Sequence, residues 1–178
     1  ITVDGERISG ASFTMPDHDV TVRVYFTGGA LPFEDTPEGA WYYDAVSYVY
    51  ANGLMDGVSA SEFAPEANMT RAMVWTILAR IDGEAITGTS WAEAARAWAT
   101  ESGVSDGTDP NGLVTREQFA AMLYRYAGEP AASGSLSTFT DAASVSEWAT
   151  DAMLWATQNG IITGTTAATL APQGAATR

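Results

Sequence analysis

From residue 31 onward, the apolar positions of this 178-residue chain recur at helical spacing, and they do so three times. Trp41, Ala45, Tyr48 and Val49 fall at i, i+4, i+7 and i+8, the spacing of one helical face. Trp91, Ala95, Trp98 and Ala99 repeat it, and so do Trp148, Ala152, Trp155 and Ala156. Twelve residues after each Trp stands a Gly (Gly53, Gly103, Gly160), a predicted helix stop, because Gly takes the left-handed backbone such stops require. A second Gly follows four residues later (Gly57, Gly107, Gly164). Then come three related tripeptides, Met69-Thr70-Arg71, Val114-Thr115-Arg116 and Ala176-Thr177-Arg178. The first two open further apolar stripes: Val74, Ile77, Leu78 and Ile81, then Phe119, Met122, Leu123 and Tyr126. Thr70 and Thr115 are predicted N-caps, and Thr115 with Gln118 reads as a capping box. Self-similarity of this kind decides the fold before local propensity does, and it predicts a mainly α chain of three helix-loop-helix repeats.

The repeats are expected over 31–83, 84–130 and 131–178. Phe33-Glu34-Asp35 opens the first and Phe139-Thr140-Asp141 the third, whereas the second lacks this opening. The second loop is also shorter, with 13 residues from Gly103 to Arg116 against 18 from Gly53 to Arg71 and from Gly160 to Arg178. The third copy stops where its second helix should begin, so the sequence is expected to be cut there. Residues 1–29 differ in kind. Val20, Val22, Val24 and Phe26 alternate with more polar residues, the period of a half-buried strand, and Asp4-Gly5 is a turn that folds a shorter alternation back. A small N-terminal β segment is predicted, joined through a linker over 27–30.

Composition narrows the function more than the fold. No apolar run approaches the length of a membrane-spanning helix, and Ile1 opens without a charged start or an apolar signal core. The chain therefore reads as part of a longer exported protein whose targeting signal lies upstream. Cysteine is absent, which excludes disulfides, thiol catalysis and Cys-ligated metal centres. Its absence suits a surface protein of a Gram-positive type of cell, although many cytosolic domains also lack Cys. The net charge is −14 and all eight basic residues are Arg, which argues against nucleic acid or an anionic membrane as partner. His18 is the sole His, no Lys is present, and no carboxylate pair is singled out by spacing as acid and base, so no catalytic residue and no cofactor is expected. The stretch from Asp106 to Gly112 hints at calcium but lacks the EF-hand ligand spacing and closing Glu, and it reads as a turn with no metal.

The Arg of each tripeptide carries the candidate chemistry. A cation in the first turn of a helix faces the positive end of the macrodipole and costs about 0.3–1 kcal/mol. An incoming anion reverses that sign, since first-turn N–H groups and a guanidinium together make a carboxylate or phosphate site. Arg71, Arg116 and Arg178 are thus candidate ligand contacts. The competing reading is structural, with Arg71 and Arg116 tying repeats together through Asp35, Glu66 or Glu117. Trp41, Trp91 and Trp148 lie on apolar helical faces and read first as core, with sugar stacking as the alternative.

Taken together, Phe-x-Asp, a Trp-bearing helix, a Gly stop, a Gly-containing loop ending Phe63-Ala64-Pro65 or Leu170-Ala171-Pro172, and Thr-Arg resemble tandem S-layer homology (SLH) modules over residues 31–178. The family often reads Thr-Arg-Ala-Glu, where this chain has Thr70-Arg71-Ala72-Met73 and Thr115-Arg116-Glu117-Gln118. Upstream, Ser12-Phe13-Thr14-Met15-Pro16 and the following strand resemble the end of a small β repeat of bacterial surface proteins. The resemblance implies three modules packed with pseudo-threefold symmetry at the cell surface. It implies non-covalent anchoring of an exported protein through an anionic, typically pyruvylated, secondary cell-wall polysaccharide, without nucleic acid and without membrane insertion. By the same resemblance, the inter-module grooves are lined by Arg71, Arg116, Arg178, Asp35, Asp141, Trp41, Trp91, Trp148, Gly53, Gly103 and Gly160. The groove beside the second repeat lacks its Asp, which points to a silent site. The alternative is a protein–protein module that assembles a surface layer without touching the polysaccharide.

Overall fold

The computed structural model describes residues 31–178 in full; the β segment expected over 1–29 and its linker lie outside the described residues. The described chain is mainly α-helical. Its helices are α1 (Tyr43–Ala51), α2 (Arg71–Ile81), α3 (Trp91–Glu101), α4 (Arg116–Tyr126) and α5 (Thr150–Gln158). Short 3-10 turns at Ala142–Ser144 and Glu147–Ala149 lead into α5. The chain divides into two compact units, Ile1–Phe63 and Ala64–Arg178.

In the first unit, Phe33 is buried and meets Tyr50 edge-on at 4.9 Å and Phe63 at 5.4 Å. Asp35 accepts the Phe63 N–H at 2.9 Å, and Glu34 N–H donates to the Ser61 carbonyl at 2.8 Å, so the Phe-x-Asp opening clamps the far end of its own loop. Helix α1 departs from the predicted face. It starts two residues after Trp41, and it buries Val46 and Ser47 while Trp41, Ala45 and Tyr48 are exposed. The apolar stripe misled because the Trp lies in the turn ahead of the helix, where the 3.6-residue period does not reach it.

The second unit pairs helices across repeats rather than within them. Helix α2, the second of repeat one, packs on α3, the first of repeat two, and α4 packs on α5 in the same way. Ala95 and Ala99 of α3 are fully buried beside Trp75 and Leu78, and Ala120 and Ala121 of α4 beside Ala152, Met153 and Ala156. Small residues on one face let the large ones of its neighbour fill the gap, and burying a Leu or Trp side chain stabilises the fold by about 1.5–3 kcal/mol. Trp75 is fully buried, and the predicted stripe of α2 missed it; Ile81, which that stripe included, is exposed.

The three tripeptides meet. Val114 N–H donates to the Met69 carbonyl at 3.0 Å, Met69 N–H to Ala176 at 2.9 Å, and Ala176 N–H to Val114 at 2.8 Å, closing a ring of three backbone hydrogen bonds. All three residues are buried, so each N–H would be costly to leave unpaired. The repeat first seen as sequence similarity is therefore also a cyclic bonding pattern.

Candidate functional site

Each Thr-Arg step is a joint between consecutive repeats. Thr70 and Thr115 cap α2 and α4 by accepting from Met73 and Gln118, and the Gln118 side chain returns to Thr115 N–H to complete the capping box. The next N–H groups are taken by the following repeat. Arg71 and Ala72 N–H donate to the carbonyls of Gly112 and Pro110, and Arg116 and Glu117 N–H to those of Gly174 and Pro172. Arg178 N–H donates to the Ala67 carbonyl at 3.0 Å in the same sense. The first-turn donors that the sequence offered to an incoming anion are thus occupied within the molecule, which corrects that part of the expectation.

The guanidinium groups follow the same rule. Arg71 Nε donates to Thr108 O at 2.8 Å, and its Nη2 to Ser105 Oγ at 2.8 Å and Asp106 Oδ1 at 2.7 Å. It also lies 5.5 Å from the ring centre of Trp75. Arg116 Nε donates to Leu170 O at 2.8 Å and its Nη2 to Thr163 O. Arg116 thus meets backbone carbonyls, and Arg71 a carbonyl, a hydroxyl and the Asp106 carboxylate, in place of the Asp35, Glu66 or Glu117 carboxylates that the structural reading named. Burial pushes the Arg116 pKa down, opposed by the charge of Asp141.

The acid that repeat two was expected to lack is present at another place in the sequence. Phe63, Thr108 and Leu170 occupy equivalent positions, two before a Pro, and each following residue (Ala64, Asp109, Ala171) has positive φ. The N–H of Phe63 goes to Asp35, that of Leu170 to Asp141 Oδ1 at 2.9 Å, and that of Thr108 to Asp106 Oδ1 at 3.0 Å. Asp141 Oδ2 also accepts the Ala171 N–H at 2.7 Å. The bond from Leu170 holds the Asp141 carboxyl below the usual carboxylate range, as the bond from Thr108 does for Asp106. Asp106 lies in the loop after the helix instead of ahead of it, so a motif search for Phe-x-Asp passes it by.

One cleft of about 460 Å³ opens beside Arg71. The loop supplies Gly103, Ser105 and Asp106; helix α4 supplies Gln118, Ala121, Met122 and Arg125; Trp148 completes the lining. Three of the predicted site residues, Arg71, Gly103 and Trp148, come together here from three different repeats. Gly103 has φ 74° with open space where a side chain would stand, so it is both a helix stop and a bare stretch of backbone at the cleft. Arg125, absent from the sequence reading, adds a second guanidinium and donates from Nη1 to Val104 O at 3.3 Å. Its signal was available, since it stands nine residues after Arg116 as Arg80 does after Arg71, but two copies among many Arg positions did not mark it.

The Trp residues correct the core expectation in part. Trp91 is half-buried against the core of its unit, whereas Trp148 is 57% exposed and Trp41 85% exposed. Gly53 and Gly160 share the positive φ of Gly103 and are helix stops. Asp35 and Asp141 hold their own loops and do not line this cleft.

The S-layer homology domain family matches residues 32–72 and 138–178, each span running from the Phe-x-Asp opening to the Thr-Arg region. Both spans belong to the S-layer homology family. It is 34% identical over 116 residues to the Surface-layer 125 kDa protein of Lysinibacillus sphaericus, covering 54% of this chain and 10% of that one. It is 29% identical over 168 residues to an endoglucanase of Bacillus sp. (strain KSM-635), covering 84% of this chain and 18% of the relative. The S-layer protein sap of Bacillus anthracis is 28% identical over 105 residues, 51% of this chain and 13% of that protein. This SLH chain thus spans a fifth or less of the length of these relatives. SLH modules anchor surface proteins to the cell envelope and lie at the cell surface.

Proposed function

We propose that the chain holds an exported protein to the bacterial envelope through three modules, 31–83, 84–130 and 131–178, by binding an anionic, pyruvylated secondary cell-wall polysaccharide. The observation that carries this reading is the cleft in which Arg71, Arg125, Gly103 and Trp148 converge. Two guanidinium groups face one carboxylate there, a local excess of positive charge in a chain of net charge −14. A ketal carboxylate fits the fork of Arg125, which is little engaged by the protein, and the exposed indole of Trp148 suits the apolar face of a sugar ring. Asp106 already neutralises part of Arg71, so Arg125 is the group that captures the ligand's charge and Arg71 the one that shapes the wall.

The test is cosedimentation with purified walls before and after mild acid removal of pyruvyl ketals. Arg125→Ala is expected to weaken binding roughly tenfold or more, the size of about 1.5–3 kcal/mol for a hydrogen bond to a charged group, with the fold intact. Wild-type affinity for untreated walls in both Arg125→Ala and Trp148→Ala would remove this cleft from consideration. Equal binding to acid-treated walls would favour the assembly reading.

A further inference from the structure

We propose that Glu117 is a positioning residue for Trp148, setting the indole that the polysaccharide reading places at the sugar; the inference rests on that reading for its function but not for its geometry. Glu117 stands where the family's tetrapeptide has Ala, and the binding cleft makes no use of it. Its side chain is 2% exposed. Its Oε2 accepts from Ser146 N–H at 2.9 Å, and its Oε1 from Ser146 Oγ at 2.7 Å and Gln173 Nε2 at 2.8 Å. Gln173 is itself directed by the Ser144 carbonyl at 3.3 Å.

The carboxylate thereby does for the turn Glu147–Ala149 what a capping side chain does for a helix. Ser146 is the residue ahead of this turn, its own hydroxyl makes no cap, and the buried acid instead receives its N–H and O–H. The negative charge also sits at the favourable end of the helical run that continues into α5. Trp148 is the middle residue of that turn. Being 57% exposed, the indole has little packing of its own to hold it, so the backbone on either side decides where it points. On one side that backbone is fixed by fully buried Ala149, and on the other by Glu117. A buried carboxylate held only by neutral donors is an expensive way to fill a core position, since an apolar side chain would do so more cheaply. A requirement for orientation explains why it is there.

Two measurements on the full chain test the idea. In protein labelled with 5-fluorotryptophan, the fluorine resonance lost in Trp148→Phe identifies Trp148. Glu117→Ala is expected to shift or broaden that resonance and to leave the one lost in Trp75→Phe in place. In wall cosedimentation, Glu117→Ala and Trp148→Ala are each expected to weaken binding about tenfold, and the double variant to bind no more weakly than Trp148→Ala alone, because groups acting through one another are not additive. Ser146→Ala, which removes one donor of three, should move the same resonance less, and it decides the matter if Glu117→Ala does not fold. An unmoved Trp148 resonance, or losses that multiply in the double variant, would overturn the proposal. A moved resonance with wall binding indifferent to Trp148 would instead leave the clamp standing and overturn the sugar-contact role given to Trp148.

Discussion

Arg71 and Arg116 occupy the same place in successive repeats, yet they meet different neighbours. Both reach into the loop of the next repeat and donate from Nε to an equivalent carbonyl, Thr108 or Leu170. There the likeness ends. Arg71 pairs with the Asp106 carboxylate, whereas the residue at that position in the third repeat is Thr163, and Arg116 takes its backbone carbonyl. The loops differ to match. In repeat two a single acid, Asp106, accepts the Thr108 N–H and pairs with Arg71; in repeat three the N–H is accepted by Asp141, an acid from ahead of the helix that acts on Arg116 through its field. The short loop can fold its own acid back over two residues, while the longer loop is clamped from outside. The same joint has been solved twice, and the first solution stands beside a cleft that also holds a second Arg and an exposed Trp.

If the two joints divide their roles in this way, alanine should separate them. Arg116→Ala removes the donor to the carbonyl of fully buried Leu170, where water cannot easily replace it, and is expected to lower stability by about 1.5–3 kcal/mol in urea unfolding. Arg71→Ala frees the exposed Thr108 and Asp106, which water can serve, so its stability loss should be smaller. In wall binding the order should reverse, with Arg71→Ala the weaker binder. Equal effects at both positions in both assays would erase the distinction.

Much of this was legible in sequence. The helices after Thr70 and Thr115, their caps and the Gly stops followed from local rules, because capping and positive φ depend on residues within a turn of one another. Contacts that cross between repeats were not legible. Nothing local in Arg71 says that its acceptor is Thr108 O, and nothing in Asp106 says that it replaces an acid found elsewhere in the other copies. The partners of the second helices were hidden for the same reason, since α2 packs on the helix of the next repeat. Trp148 was read as core because periodicity counts positions and not the turn type that ends before them. Gly57 shows the opposite case. Its spacing marked it, but only the structure gives the cause, as a Cβ there would stand 2.4 Å from Phe33 and 2.5 Å from the Ser59 carbonyl.

Acid titration sharpens the comparison through the two clamps. The carboxyl pKa values of Asp141 and Asp106 are both depressed in the folded protein, first by backbone N–H bonds. A group depressed on folding adds stability that is present above its unfolded pKa, near 4, and is lost as pH falls through its folded value. Asp141→Asn imitates the protonated acid at every pH. The gap in unfolding free energy between wild type and Asp141→Asn should therefore be widest near neutrality and close below the carboxylate range, and Asp106→Asn should behave likewise. Asp106 is exposed and Asp141 only half-buried, so these gaps should fall below the Arg116→Ala effect. A gap that does not change with pH would mean that the N–H bonds do not select the charged form.

The smallest expected effect comes from giving the third repeat the acid of the second. Thr163→Asp places a carboxylate at the position equivalent to Asp106, on the same residue whose backbone carbonyl Arg116 already grips. An exposed pair of this kind is worth only about 0.2–1 kcal/mol, and salt should weaken it. Here the gain faces an opposing term, because Asp141 is already close enough to act on Arg116, and a second acid would repel the first. The net stability change is therefore expected at the low end of that range, and it should grow when Asp141 is replaced by Asn. A double-mutant cycle on positions 141 and 163, read by urea unfolding at low and high salt, measures that coupling. Additive changes would show that the two acids do not share Arg116; a positive coupling that fades with salt would show that either clamp can serve the joint, and that the chain needs only one.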